Sequence, residues 1–177
     1  MTHDDIVTSR LNLRLLSQEA LEATEAGNII LAARLLDLKL PQEWSGISPL
    51  ARRRLAQLPD SPEYRPWSVR AVVLRRTNEA VGYVNFHDLP QWHELAQNDA
   101  CAELGYTIFE PHRRNGYVEE AVRALIPWAR ERGARHFLFS ISPDNTPSQG
   151  LARKIGARKI GMQIDEEDGP EDVFLLS

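Results

Sequence analysis

Apolar residues recur along this chain in two rhythms, one of two and one of three to four. Arg10–Leu16 alternates, with Leu11, Leu13 and Leu15 on one face and Arg10, Asn12 and Arg14 on the other, which predicts a half-buried strand. Ser17 stands where an N-cap would open a helix over Gln18–Glu25, and Gly27 breaks it. Asn28 then opens a second helix, carried by Ile29, Ala32, Leu35 and Leu36 towards Lys39, with Pro41 as its stop. Between Leu40 and Pro66, five prolines leave room for one helix, Pro49–Leu58, with Ser48 as cap. The remainder, Trp44 and Tyr64 included, reads as loop, either closing over a substrate or lying at the core edge.

The second half repeats the rhythms in a tighter order. Trp67–Arg75 and Val81–His87 read as a hairpin joined through Arg76–Ala80, and a loop over Asp88–Asp99 follows. Ala102–Ile108 alternates, with Leu104, Tyr106 and Ile108 on one face and Glu103, Gly105 and Thr107 on the other. From Gly116 the period turns helical, with Val118, Ala121, Val122, Leu125 and Ala129 as the apolar stripe. Pro127 lies inside that helix and is expected to kink its last turns. Arg135–Ser142 is a strand. The stretch from Asp144 opens a helix with Leu151, Ala152 and Ile155 as its apolar side and Gly156 as its stop. Strands over Arg158–Ile164 and Val173–Leu176 flank a solvated acidic turn, Asp165–Pro170.

Composition narrows the classes. With 177 residues, 42% of them hydrophobic and 26% charged, the chain fits one globular domain spanning 1–177. A formal net charge of −4 and no basic stripe interleaved with aromatics argue against a nucleic-acid partner. No apolar run approaches a membrane span, and the acidic opening Met1–Asp5 is unlike a signal peptide. The single Cys101 allows no internal disulfide, so a cytoplasmic setting is expected. Cys101 reads as a buried inert thiol rather than a nucleophile. His87, His93 and Glu94 lack the spacing and the further ligand of a zinc site, so no metal is expected.

The join between the Ala102–Ile108 strand and the following helix carries the chemistry. The first N–H groups of a helix lack partners within it and lie at the positive end of its dipole. Gly116 would let a ligand approach the backbone, and Arg113 and Arg114 add positive charge. The combination suits a phosphate; a plain solvated loop is the alternative. Neither a Gly-Lys-Ser/Thr nor a Gly-x-Gly-x-x-Gly is present, so neither nucleotide fingerprint applies.

Arg113-Arg114-Asn115-Gly116-Tyr117-Val118 resembles motif A of the GNAT superfamily of N-acetyltransferases, Arg/Gln-x-x-Gly-x-Gly/Ala, with Val118 at the last position. Thr8-Ser9-Arg10-Leu11-Asn12-Leu13-Arg14 is similar to the opening of the RimJ/RimL-like branch. Asn145-x-x-Ser148-x-x-Leu151-x-x-Lys154-x-Gly156 resembles motif B, with Ala157 in place of the usual Phe. The resemblance implies an α+β (mixed α/β) fold: a central, mostly antiparallel sheet of about six to seven strands with helices on both faces. It implies acetyl-CoA as co-substrate, its pyrophosphate held by Arg113, Arg114, Asn115, Gly116, Tyr117 and Val118. Gly105, Tyr106 and Ile108 would present the strand to the pantetheine, and Asn145 and Ser148 would complete the cofactor set. The acceptor would be a small primary amine or a protein α-amine. Dimers are common among similar proteins.

Acetylating an amine requires a base, since an ammonium has no lone pair. Glu103 is the first candidate; pairing with an arginine is its alternative. Ser148 would protonate the departing thiolate, or else bond locally to the helix backbone. Asn145 would contact the pantetheine, cap its helix, or do both. No tyrosine follows Tyr117, so no tyrosine acid is on offer. A non-catalytic acyl-CoA-binding module of the same fold is the reading from another class.

Overall fold

The computed structural model describes residues 5–166 and 169–177. The opening Met1–Asp4, and Glu167 and Asp168 of the expected acidic turn, lie outside the described residues. Among the described residues there are nine strands: β1 (Ile6–Val7), β2 (Leu11–Leu15), β3 (Arg70–Leu74), β4 (Glu79–Phe86), β5 (Gln91–His93), β6 (Asn98–Ile108), β7 (His136–Ile141), β8 (Arg158–Asp165) and β9 (Gly169–Leu176). Five α-helices accompany them: α1 (Gln18–Glu25), α2 (Ile29–Leu36), α3 (Ser48–Gln57), α4 (Tyr117–Arg130) and α5 (Thr146–Lys154).

The strands hydrogen-bond in the order β1-β2-β3-β4-β6-β7-β9-β8, with β5 on β6. The pairs β1–β2, β2–β3, β3–β4, β5–β6, β7–β9 and β8–β9 are antiparallel, whereas β6 and β7 are parallel. The expected mixed, mostly antiparallel sheet is therefore present. The strand count exceeds six to seven because β1 and β5 are two and three residues long, too short to carry an alternation. No described helix is long and apolar enough to cross a membrane.

The described chain forms two compact units, one from residues 5–85 and 106–124, the other from 86–105, 125–166 and 169–177. In the first, β2 and β3 pair from Leu11↔Leu74 to Leu15↔Arg70. Its core gathers Leu16, Leu21, Leu36, Trp44, Val69, Val73 and Phe109, with Trp44 edge-on to Phe109 at 6.3 Å. Trp44 and Tyr64 are fully buried rather than at the core edge, and the Trp44 indole donates to Thr24 Oγ1 at 3.2 Å. They sit in two 3₁₀ helices, Gln42–Ile47 and Pro62–Trp67, where a loop was expected. Short 3₁₀ turns have no 3.6-residue stripe to read.

Several boundaries have local causes. Ser17 caps α1 as expected, accepting from Ala20 N. α2 stops at Leu36 rather than near Lys39, because Asp37 adopts φ 52° and Lys39 bridges to Glu79 of β4. Ser48 begins α3 without capping it; its hydroxyl donates to the Glu25 carbonyl at 2.7 Å. Gly82 is required by a close approach: a Cβ there would lie 2.1 Å from the Thr107 carbonyl oxygen, beside the register break at Val72/Val73. In the second unit, β7 and β9 pair from Phe137↔Leu176 to Ile141↔Asp172, around Cys101, Leu138, Val173 and Leu175. The expected loop over 88–99 is instead a small hairpin, with Gln91 opposite Cys101 and His93 opposite Asn98.

Candidate functional site

In the first unit, β6 ends where Phe109 N donates to Val81 O at 2.9 Å. A 3₁₀ turn over Glu110–His112 follows, and Arg113 Nε donates back to Ile108 O at 3.0 Å. Arg114 and Gly116 then take φ values of 63° and 75°. Asn115 Nδ2 ties the turn together by donating to His112 O and Arg113 O at 3.0 and 3.1 Å. Arg113, Arg114, Asn115 and Gly116 are all exposed, and Tyr117 and Val118 begin α4 half-buried. A non-glycine residue held at positive φ stores about 1–3 kcal/mol and persists only where surroundings enforce it. A left-handed turn running into a helix N-terminus is anion-binding geometry.

What enforces that turn is the Thr8-Ser9-Arg10 opening. Glu120, in the first turn of α4, accepts on Oε1 from Thr8 Oγ1 (2.6 Å), Ser9 Oγ (3.0 Å) and the Arg10 backbone N–H (2.9 Å). Its Oε2 accepts from Arg10 Nε at 2.6 Å. Burial pushes the Glu120 carboxyl up, but these four donors outweigh it and hold the group down to about 2. Arg10 also donates to Asn115 O at 3.0 Å and covers the Tyr117 ring at 4.9 Å. Two motifs a hundred residues apart in sequence are therefore one locked corner. Glu120 lies off the apolar stripe of α4; an acidic residue one turn after Gly116 is the one signal of this lock in the sequence.

In the second unit, β6 and β7 pair in parallel at Cys101↔His136, Ala102↔Phe137 and Glu103↔Leu138, where the register ends. Gly105 lies beyond that point on β6; Tyr106 and Ile108 follow on the same strand, within the first unit. Glu103 is partnered by a histidine and a serine rather than an arginine. His87 Nδ1 is 3.6 Å from Oε2, and Ser140 Oγ donates to Oε1. Burial alone would raise the Glu103 carboxyl; His87, Ser140 and the more distant His93 overcome it and leave it lowered. A shallow cleft opens here, lined by His87, Asp88, Trp92, His93, Cys101 and Glu103 among others.

Cys101 is buried, its thiol directed at Asn98 O at 3.4 Å. Burial, helped by the Asp99 charge, pushes the thiol up, away from the thiolate a nucleophile needs. No group of three potential metal ligands occurs among the described residues.

Asn145 Oδ1 accepts from Ser148 N at 3.2 Å, so Asn145 caps α5 and brings Ser148 into its first turn. The Ser148 side chain is half-buried there. Gln149, which the sequence reading passed over, is buried and donates to Pro143 O at 3.1 Å and Asp172 Oδ2 at 3.4 Å, anchoring this end of the helix.

A family model for the acetyltransferase (GNAT) domain matches residues 10–158. YoaA of Bacillus subtilis (strain 168), an uncharacterised N-acetyltransferase, is 32% identical over 89 residues, 50% of this chain and 47% of YoaA. The chain spans about half the length of the curated relatives it matches. Among solved structures, a Vibrio cholerae protein provisionally named a ribosomal-protein-serine acetyltransferase is 28% identical, with TM-score 0.64 over 99% of both chains. RimL, a ribosomal L7/L12 α-N-protein acetyltransferase solved with coenzyme A, shares the fold at 17% identity, with TM-score 0.64 over 98% of this chain and 97% of that one.

Proposed function

This chain belongs to the GNAT acetyltransferase family, and from that premise we propose that it transfers an acetyl group from acetyl-CoA to a primary amine. The observation that carries the reading is the corner at Arg113–Gly116, held against the start of α4 by Glu120 and Arg10. A rigid, positively charged turn that opens a helix suits the pyrophosphate of the donor. Arg114, the Gly116 backbone and the N–H groups of the first turn would hold it there; acetyl-CoA supplies the acyl group as a thioester. Asn145 and Ser148 belong to the same cofactor set in this reading. The chain works as a single domain over 1–177, in the cytoplasm.

Transfer is direct, with donor and amine bound together; the one cysteine is too protonated to carry the acetyl group. Glu103 is ionised at neutral pH and so is in the form that accepts a proton. Its basicity is low against a free ammonium. The amine nitrogen becomes far more acidic as its bond to the carbonyl carbon forms, and a carboxylate can take the proton then. The C–N bond forms, the C–S bond breaks, and Ser148 supplies the hydrogen bond to the departing thiolate. The acceptor is a small amine or a protein α-amine; the half-open cleft at Glu103 serves either.

Thermal unfolding with and without acetyl-CoA tests the donor site. Donor at about 100 times its Kd stabilises by roughly 2.7 kcal/mol. At about 2–4 °C per kcal/mol this raises Tm by about 5–10 °C in the wild type. The shift is lost in a folded Gly116→Glu variant. No shift in the wild type would refute the donor site, and a shift without thiol release against any amine in a panel of small amines and short peptides would refute the transferase.

A further inference from the structure

We infer that Ser140 and Gln163 are positioning residues that fix the direction of the hydrogen bonds at Glu103 and reserve its Oε2 for the cleft. The inference rests on the reading of Glu103 as the group that takes the amine's proton, and it adds the parts that aim it. Four side chains of the second unit form a chain: Glu171 on β9, Gln163 on β8, Ser140 on β7 and Glu103 on β6.

The polarity of this chain follows from donor and acceptor inventories alone. A carboxylate only accepts, so the Gln163 atom 3.1 Å from Glu171 Oε2 is the amide nitrogen. The same nitrogen lies 3.1 Å from Ser140 Oγ, and its second hydrogen goes there. Ser140 has one hydrogen and its oxygen is already accepting, so that hydrogen points at Glu103 Oε1. One oxygen of Glu103 is thereby committed. The other, Oε2, is left on the His87 side, where both residues line the cleft. Without Gln163 nothing fills the Ser140 oxygen from that side, and the hydroxyl is free to turn its hydrogen to another acceptor. A base held by such a relay keeps its rotamer and its ionised form together.

The variants test direction rather than mere contact. Swapping Gln163→Glu together with Glu171→Gln keeps the charge count but puts an acceptor beside Ser140. The Ser140 hydrogen turns towards it, and Glu103 Oε1 loses its donor. Repeating the swap in Ser140→Ala leaves only the charge displacement, so the difference between the two backgrounds is the hydrogen-bond direction. Gln163→Leu removes the fixed polarity and adds no charge, and it serves if the swap does not fold. The readout is the ¹³C titration of the Glu103 carboxyl, its signal identified by its loss in Glu103→Gln. Other titratable groups line the cleft or the relay at Glu103: His87 just after β4, Asp88 in the connector, His93 on β5, the Cys101 thiol on β6, and Glu171 on β9; the Lys159–Asp172 pair is in register with Ile141 and Phe174, on the other face of the sheet. All are held constant within each comparison except Glu171.

The titration midpoint of Glu103 shifts upward in the swap, more than in the swap made on Ser140→Ala, and shifts upward less in Gln163→Leu. With acetyl-CoA and an accepted amine, the acid limb of kcat moves up in the same order while KM for acetyl-CoA stays put. A Glu103 midpoint that is the same in wild type, swap and Gln163→Leu overturns the inference. The ordered titration shifts without turnover would sink Glu103 as the base and leave the positioning intact; turnover without the shifts would do the reverse.

Discussion

The lock between Thr8–Arg10 and Glu120 can be broken by changing one atom, with Glu120→Gln. The carboxyl is lowered from 4.5 to about 2. At 1.36 kcal/mol per unit this corresponds to roughly 3.4 kcal/mol before solvent screening. Arg10 is half exposed, which discounts the figure to about 1–2 kcal/mol. The sign follows from the lowered folded-state value. The contribution is complete above the ordinary carboxylate range and disappears as pH falls towards 2. Glu120→Gln should therefore lose about 1–2 kcal/mol at pH 7, and about 2–8 °C of Tm, because its amide NH₂ meets the Arg10 donor. Urea unfolding of both proteins at pH 7 and again at pH 3 measures the difference, which should shrink at the lower pH. Acetyl-CoA affinity should drop as well, since Arg10 also holds the Asn115 carbonyl. Equal stability at pH 7, or a difference independent of pH, would refute the lock.

Gly82→Ala should cost several kcal/mol and lower expression, because its methyl would sit 2.1 Å from the Thr107 carbonyl oxygen, a backbone atom that cannot swing aside; an unfolding curve matching wild type would be the contrary result. Asn145→Ala should destabilise by about 1 kcal/mol through loss of the α5 cap, read by urea denaturation. If Asn145 also touches the donor, acetyl-CoA binding weakens by more than the loss of stability explains. Cys101 should react slowly with iodoacetamide in the native protein at pH 7 to 8 and quickly once unfolded, since burial holds its thiol protonated; fast native labelling would contradict that.

The sequence made the long elements legible because their periods repeat several times. The α4 stripe, the β2 and β6 alternations and the caps at Ser17 and Asn145 need only neighbours in the chain to be read. Elements below about one period were not legible: β1, β5 and the two 3₁₀ helices around Trp44 and Tyr64. Nor was the depth of Trp44, whose burial depends on Phe109 far along the chain. The loop proposed to hold the donor was readable because motif A puts turn, glycine and helix in one stretch. The cluster around Glu103, proposed as the acceptor side, was not, because its parts lie just after β4 and on β6, β7, β8 and β9 and meet only in the folded sheet.

Polar residues on the alternating strands show why that gap exists. Arg14 falls on the face that alternation assigns to solvent, yet it is buried, paired with Asp5 at 2.8 Å and bonded to Leu36 O at 2.7 Å. Glu103, Ser140 and Gln163 likewise occupy polar positions of β6, β7 and β8, and alternation reads each as surface. A buried polar group is tolerated only when its bonds are satisfied, and its partners come from other strands. Period analysis detects the apolar face of each strand and is blind to which polar residues meet across strands. Functional groups in a sheet protein belong to that second class: a carboxylate that must stay ionised near a cleft needs donors it cannot find on its own strand. The alternation located Glu103 to the right strand, but its side-chain neighbours, His87 and Ser140, lie 16 and 37 residues away.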